Sequence, residues 1–210
     1  MQAAPIPPDC FEEYDRLIEM GTDHFSFCVE FEDPEVFARI CPGKAATLGQ
    51  DAFYHAMEYT VRRLGRGRVS GEIIAGVEPI ARTMQAIDRI VATGAFPTVC
   101  IFRPLRGSDM EDVPPPDPLE MREVMAYQYE ACRRARIPIG VIPGIDVSLV
   151  VEPEDARDLW RRAGGRDTRS PDAYDIELQL LRSLARPYVA WKCKPRGLPW
   201  VERQVARPGR

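Results

Sequence analysis

No apolar run in the chain approaches the ~18 residues that a membrane-spanning helix needs. Met1 to Asp9 carries neither a basic n-region nor an apolar h-region, so no secretory signal is expected and the expected location is cytoplasmic. Histidine is scarce: His24 and His55 are the only two in 210 residues, which argues against a His-rich metal site. Lysine is nearly absent, since Lys44, Lys192 and Lys194 are the only lysines among 28 basic residues. An excess of positive charge is missing too: 32 acidic residues leave a net charge of −4 and a pI near 5.4. Two arginine clusters exist (Arg62, Arg63, Arg66, Arg68 and Arg133, Arg134, Arg136), but each closes an apparent helix, where cations suit the helix dipole. Nucleic acid is therefore not an expected partner. Six cysteines stand at 10, 28, 41, 100, 132 and 193, none close enough in sequence for a C-x-x-C or C-x-x-x-C motif. That excludes a local zinc or cluster motif and predicts reduced, buried thiols.

What is plentiful is proline, 20 residues, about twice the usual share. The hydrophobic pattern alternates between helical and strand segments. Phe11, Tyr14, Leu17 and Ile18 share one face of a helix over 11–20, which Gly21 stops. His24 to Glu30 reads as a strand. A second helix over 48–64 has Phe53, Met57, Thr60, Val61 and Leu64 inside, and Arg68 to Ala75 is the next strand. Pro79 opens a third helix with Ile80, Met84, Ile87 and Val91, and Thr98 to Phe102 is a buried strand. Pro114 to Pro118 is a stiff connector to a helix over 119–135, followed by a short strand, Pro138 to Ile142. Such a rhythm, at roughly 30–40 residues per unit, predicts an α/β fold with a parallel sheet and right-handed crossovers. A barrel arc and an open doubly wound sheet both fit. Residues 1–150 form this unit. Residues 151–194 are a mainly helical extension (153–163 and 171–185), with a last strand over Pro187 to Lys194, and 195–210 are expected to be a disordered tail.

Ligands of parallel α/β folds bind at the carboxyl ends of strands. Those ends carry Glu30, Glu32 and Asp33; Glu78; Arg103, Arg106 and Asp109; and Asp146. Acids on some strand ends and arginines on another suit a zwitterionic or hydroxylated small molecule. Solvated loop charges are the plainer reading of Glu32, Asp33, Arg103 and Arg106. Glu30 stands apart because it closes a strand of Phe25, Phe27 and Val29. Pro42 to Thr47 resembles a phosphate loop but fails the pattern, with Ala38 where the first glycine belongs and Ala45 after Lys44, so a loop turn is expected, from which Lys44 could still reach an anionic ligand group. Cys28 and Cys100 sit mid-strand with no base nearby, so core packing is the expectation.

Three stretches together resemble the radical S-adenosylmethionine (SAM) superfamily, in particular the biotin synthase-like group. Asp23 to Glu30, with Asp33 to Phe37 after it, resembles the fourth barrel strand and its following helical turn. Gly71 to Glu78 resembles the fifth-strand G-x-I-x-G-x-x-E motif, with Gly71, Ile73 and Glu78 in register, Ala75 in the middle position and Gly76 shifted by one. Pro97 to Ser108 resembles the sixth strand and its turn. The resemblance covers about half of the chain. It implies a (β/α) barrel of the TIM type, SAM as cofactor, and a SAM pocket shaped by Glu30, Gly71, Ile73, Glu78, Arg103, Gly107 and Ser108. The family's [4Fe–4S] cluster donates an electron to SAM, which yields a radical that abstracts hydrogen from substrate.

The family's C-x-x-x-C-x-x-C cluster loop is absent here, as is any sequence for the first strands. Gln2 to Pro5 resembles the tail of the third strand. The expectation is a partial barrel, inactive by itself and without metal ligands: a truncated product, a misassigned start or one half of a split protein. Strand 24–30 should then lack its preceding neighbour, leaving backbone groups unpaired and favouring self-association or an N-terminal half-barrel polypeptide as partner. The other partner expected is a small-molecule substrate, with no membrane. A cluster-free α/β small-ligand-binding or scaffold module is the alternative.

Overall fold

A computed structural model describes residues 2–141, 150–165 and 171–192. Its centre is a four-stranded sheet in the order β1 (Phe25–Glu30), β2 (Val69–Ala75), β3 (Phe96–Ile101), β4 (Val150–Val151). The first three strands are parallel and adjacent in chain order, with Phe25 opposite Val69 and Gly71 opposite Pro97. β4 runs antiparallel to β3. The sheet is open, and the closed curvature of a barrel is not seen among the described residues.

Eight α-helices accompany it among the described residues: α1 (Glu12–Glu19), α2 (Pro34–Ile40), α3 (Pro42–Thr47), α4 (Asp51–Leu64), α5 (Ile80–Thr93), α6 (Pro118–Arg134), α7 (Arg157–Arg162) and α8 (Ala173–Lys192). The crossover helices cover one face of the sheet. A Cβ on Gly71 would meet both Ile90 of α5 and Met57 of α4, at 2.8 and 3.0 Å, so both helices lie on that side. Phe25, Phe27, Val29, Val69, Ile73 and Val99 are fully buried against them. Each such side chain contributes about 2 kcal/mol of burial. The alternate residues, Cys28, Glu30, Glu72 and Cys100, are only half-buried. They belong to the other face, as the period of two requires.

Several expectations need correction. Pro138 to Val141 is not a strand, and Ile142 lies outside the described residues. Carbonyls in and just before that segment go to side chains: Arg182 donates to Gly140 at 2.9 Å, and Tyr174 donates to Ile137 at 2.6 Å. The place beside β3 belongs to Val150–Val151. The expected last strand at Pro187 is helix through Lys192, for Pro187 lies inside α8. There the apolar step of four simply continues from Leu180 and Leu184 to Tyr188, and proline removes one backbone bond without ending the helix. Lys194 and the 195–210 tail lie outside the described residues. Pro42 to Thr47 is a short helix, not a loop, with Pro42 in its first turn.

The edge of β1 is also better covered than expected. Tyr14, fully buried, donates to Ala4 at 3.0 Å and accepts from the Ile6 amide, which lays the N-terminal segment along the strand. Gln2 bridges Ser26 in parallel, and the Ala3 amide donates to the Ser26 carbonyl at 2.9 Å.

Candidate functional site

The carboxyl end of β1 is irregular. Cys28 pairs with Glu72, but Glu30 pairs with Ile73, so Val29 is an extra residue in the ladder. Glu30 has a φ of +72°, and the Phe31 amide donates back to the Val29 carbonyl at 3.1 Å. That is a three-residue turn with positive φ at its centre, a rare and strained form. A bulge of this kind re-aims a side chain. Here the Glu30 carboxylate, 18% exposed, meets the ammonium of Lys44, which α3 brings across. Lys44 also donates to the Cys28 carbonyl at 3.2 Å and lies 5.5 Å from the Phe53 ring centre. The β1 carbonyls of Ser26 and Cys28 are thus both occupied, one by backbone and one by a lysine. Around the ion pair is a pocket of about 330 Å³, lined also by Gln2 to Pro5, Cys28, Leu48 and Phe53.

Next to the pocket the open face carries a second acid. Glu72 accepts from the Cys28 thiol at 3.7 Å and is also hydrogen-bonded to Cys100. Burial, ahead of Glu72, pushes the Cys100 thiol up to about 12. It pushes Cys28 up to about 11 against a hydrogen bond from Gln2. Both thiols are therefore held in the protonated form near neutral pH, which weakens them as nucleophiles. Their expected place in the core is wrong, since both stand half-buried on the open face. Only Cys132 is buried among the described cysteines, and Cys10 is exposed.

The loop after β1 is anchored from two sides. Glu78 is 5% exposed and accepts the amides of Glu32 at 3.0 Å and Asp33 at 2.8 Å. Burial raises its pKa, with these bonds opposing. Glu32 is not the solvated loop charge expected. It is 6% exposed, paired with Arg89 at 2.9 Å, and accepts from the Tyr54 hydroxyl at 2.7 Å. Arg89 also stacks 3.8 Å from the Tyr54 ring centre. Asp33 caps α2 by accepting from the Glu35 and Val36 amides.

The predicted residues thus fall into four places, the first being Glu78, buried beneath the loop after β1. Glu30 faces the pocket. Gly71 and Ile73 face the helices on the other side of the sheet, packed against α4 and α5 in the case of Gly71. Arg103, Gly107 and Ser108 are exposed in the turn after β3, where Ser108 donates to Leu105 at 2.7 Å and the Gly107 amide donates to Glu111 at 2.6 Å. Asp146 lies outside the described residues. Lys44, which the sequence leaves able to reach an anionic ligand group, instead meets Glu30. Glu72 sits between the motif positions, and only strand alternation on β2 points to its face.

The chain is similar to a hydroxylase. Over 112 residues it is 32% identical to the bacteriochlorophyllide c C-7(1)-hydroxylase of Chlorobaculum limnaeum. The match covers 53% of this chain and 28% of that enzyme, so the shared part is under a third of the relative's length. No family model and no solved structure matches the chain.

A [4Fe–4S] cluster does not fit the described residues: none of their His, Cys, Asp and Glu side chains form a group of three able to hold a metal. The pocket places an anionic acceptor, Glu30, beside a cationic donor, Lys44, the two partners that an amino-acid zwitterion requires. No helix of the described residues is long and apolar enough to cross a membrane.

Proposed function

We propose that this chain supplies the SAM- and substrate-facing arc of a radical SAM barrel, in an enzyme that functionalises a carbon–hydrogen bond. The observation that carries this reading is the strained Glu30 turn at the carboxyl end of β1, facing a pocket that contains a cation. Strain of this kind persists where the surroundings enforce it, and it clusters at binding sites. The hydroxylase relative supports the reaction class, since placing a hydroxyl on carbon begins by breaking a C–H bond. SAM, when bound in the intact family, supplies the hydrogen-abstracting radical. This chain's own residues bind and position it. Glu30 and Lys44 exchange their mutual ion pair for the ligand's ammonium and carboxylate. Glu78 holds the loop that follows Glu30, and Gly71 and Ile73 set β2 against its helices from behind. Arg103 and the Gly107–Ser108 turn form part of the rim. The open face with Cys28, Glu72 and Cys100 lies toward the substrate.

A calorimetric titration of SAM, paired with a thermal melt, tests this. The wild-type chain should bind, and Glu30→Ala should weaken binding by at least tenfold while the melt stays within a few degrees. After anaerobic treatment with iron and sulfide the chain alone should form no 5′-deoxyadenosine. Absent binding by the wild type, or equal binding by Glu30→Ala, would favour a cluster-free binding or scaffold module.

A further inference from the structure

The strained turn at Glu30 is held by something other than its ion pair, because a salt bridge to Lys44 restrains the side chain and leaves φ free. The residues after it supply the hold. Every backbone polar group of Phe31, Glu32 and Asp33 is occupied, a full accounting for an irregular segment. The Phe31 amide donates to the Val29 carbonyl, and the Asp33 carbonyl accepts from the Phe37 amide at 2.8 Å. The Glu32 and Asp33 amides both go to the Glu78 carboxylate. The remaining carbonyls, of Phe31 and Glu32, accept from a single nitrogen, Gln50 Nε2, at 2.8 and 3.0 Å. A side-chain amide nitrogen carries two hydrogens, one for each. Successive carbonyls point to opposite sides of an extended strand. One nitrogen therefore holds both only where the chain has already left the strand direction, and it leaves at Glu30, with its φ of +72°.

We propose that Gln50 is a positioning residue of the Glu30–Lys44 pocket: its side-chain amide pins the turn that presents the Glu30 carboxylate, without itself touching the ligand. This role rests on the reading of that pocket as the ligand site. Gln50 stands immediately before α4 and makes no capping bond to the helix, so its amide hydrogens are left for the loop. Tyr54, one turn further along the same side of α4, donates to the Glu32 carboxylate. α4 thereby grips the main chain and the side chain of Glu32 together, while its Phe53 lines the pocket. Glu78 holds the same loop from the far side, by its amides only. With the Gln50 donors gone, the Phe31 and Glu32 peptide planes turn back toward the strand direction. Glu30 then returns to negative φ, and its carboxylate leaves the pocket.

Nuclear magnetic resonance of the isotope-labelled 210-residue chain tests this without a ligand, and a calorimetric titration of SAM tests it with one. Positive φ brings the amide and α protons of a residue close together, so wild-type Glu30 should show a strong Overhauser effect between them. Gln50→Met keeps the side-chain length and removes the donors. It should lose that effect and weaken SAM binding by about tenfold or more, with the melt within a few degrees of the wild type. Gln50→Glu also lacks the donors and gives the same reading where the methionine variant does not fold. Gln50→Lys restores a donor on a stem of similar reach, so it should keep the Overhauser effect and bind SAM within about threefold of the wild type. An Overhauser effect that survives in both donor-less variants overturns the proposal. So does SAM affinity that stays at the wild-type value once the effect is lost. A wild type that binds no SAM, in a chain whose Glu30 signature still vanishes with the Gln50 donors, refutes the pocket as a SAM site and leaves Gln50 as the residue that sets the turn.

Discussion

At Glu30 a side chain capable of ligand contact and a backbone conformation that disfavours any side chain occupy the same position. Its φ of +72° is glycine territory, and its ion pair with Lys44 is partly solvated, so it offsets little of the strain. Replacing Glu30 by glycine should therefore raise stability by about 1 kcal/mol while removing the carboxylate from the pocket. Chemical denaturation of the two proteins measures this, and a loss of stability in Glu30→Gly would show that the ion pair outweighs the strain. His24, at the other end of the same strand, provides a pH effect. Burial pushes it down to about 4, against the pull of Asp23, and its Nε2 lies 3.2 Å from the Ser70 hydroxyl. The unfolded chain, with an ordinary histidine, binds the proton first as pH falls. Stability linked to His24 is thus complete above about pH 6.5 and lost between there and about pH 4, up to about 3 kcal/mol in all. His24→Gln should flatten the difference in stability between pH 7 and pH 4.5, and an unchanged difference would assign the acid sensitivity to other groups. Glu30 was legible because it ends an apolar run. Its turn was not, since positive φ at a glutamate leaves no trace in composition.

Elements formed where hydrophobic periodicity and boundary residues agreed. β1, β2, β3, α4 and α5 lie within a few residues of the segments read from the sequence, with Gly65 and Gly94 closing α4 and α5. A tertiary partner decides the 138–141 segment: the carbonyls of Ile139 and Gly140 accept from Arg182, and that of Ile137 just before them accepts from Tyr174, some forty positions away. The Pro187 segment stays helical because it continues α8. Close packing of α4 and α5 on β2 rests on Gly71. Gly71→Ala places a methyl 2.8 Å from Ile90 Cδ1 and 3.0 Å from Met57 Sδ. Both neighbours are flexible side-chain ends, so the cost should be about 1–3 kcal/mol of overpacking and the fold should survive. A melt with unchanged SAM binding per folded molecule would mark Gly71 as a packing residue. Lost binding in a protein of unchanged stability would place it in the pocket instead.

At the scale of the whole molecule, three parallel strands in chain order, with α4 and α5 on one face and a half-buried polar face opposite, make an arc open on its second side. The parallel class was legible because strands buried under helices read as apolar runs. The pocket was not, for its walls come from Gln2 to Pro5, β1, α3 and α4, and only folding brings Lys44 to Glu30. If the proposed function holds, this corner, on the polar face and at the carboxyl end of β1, receives the ligand. Amide chemical shifts of the isotope-labelled chain, recorded during titration with SAM, read that out residue by residue. Saturable changes should be confined to Ala3 and Ala4, Cys28 to Phe31 and Gly43 to Leu48, with the amides of α5 still. Changes centred on the helix-covered side of the sheet, or none at any concentration reached, would contradict it.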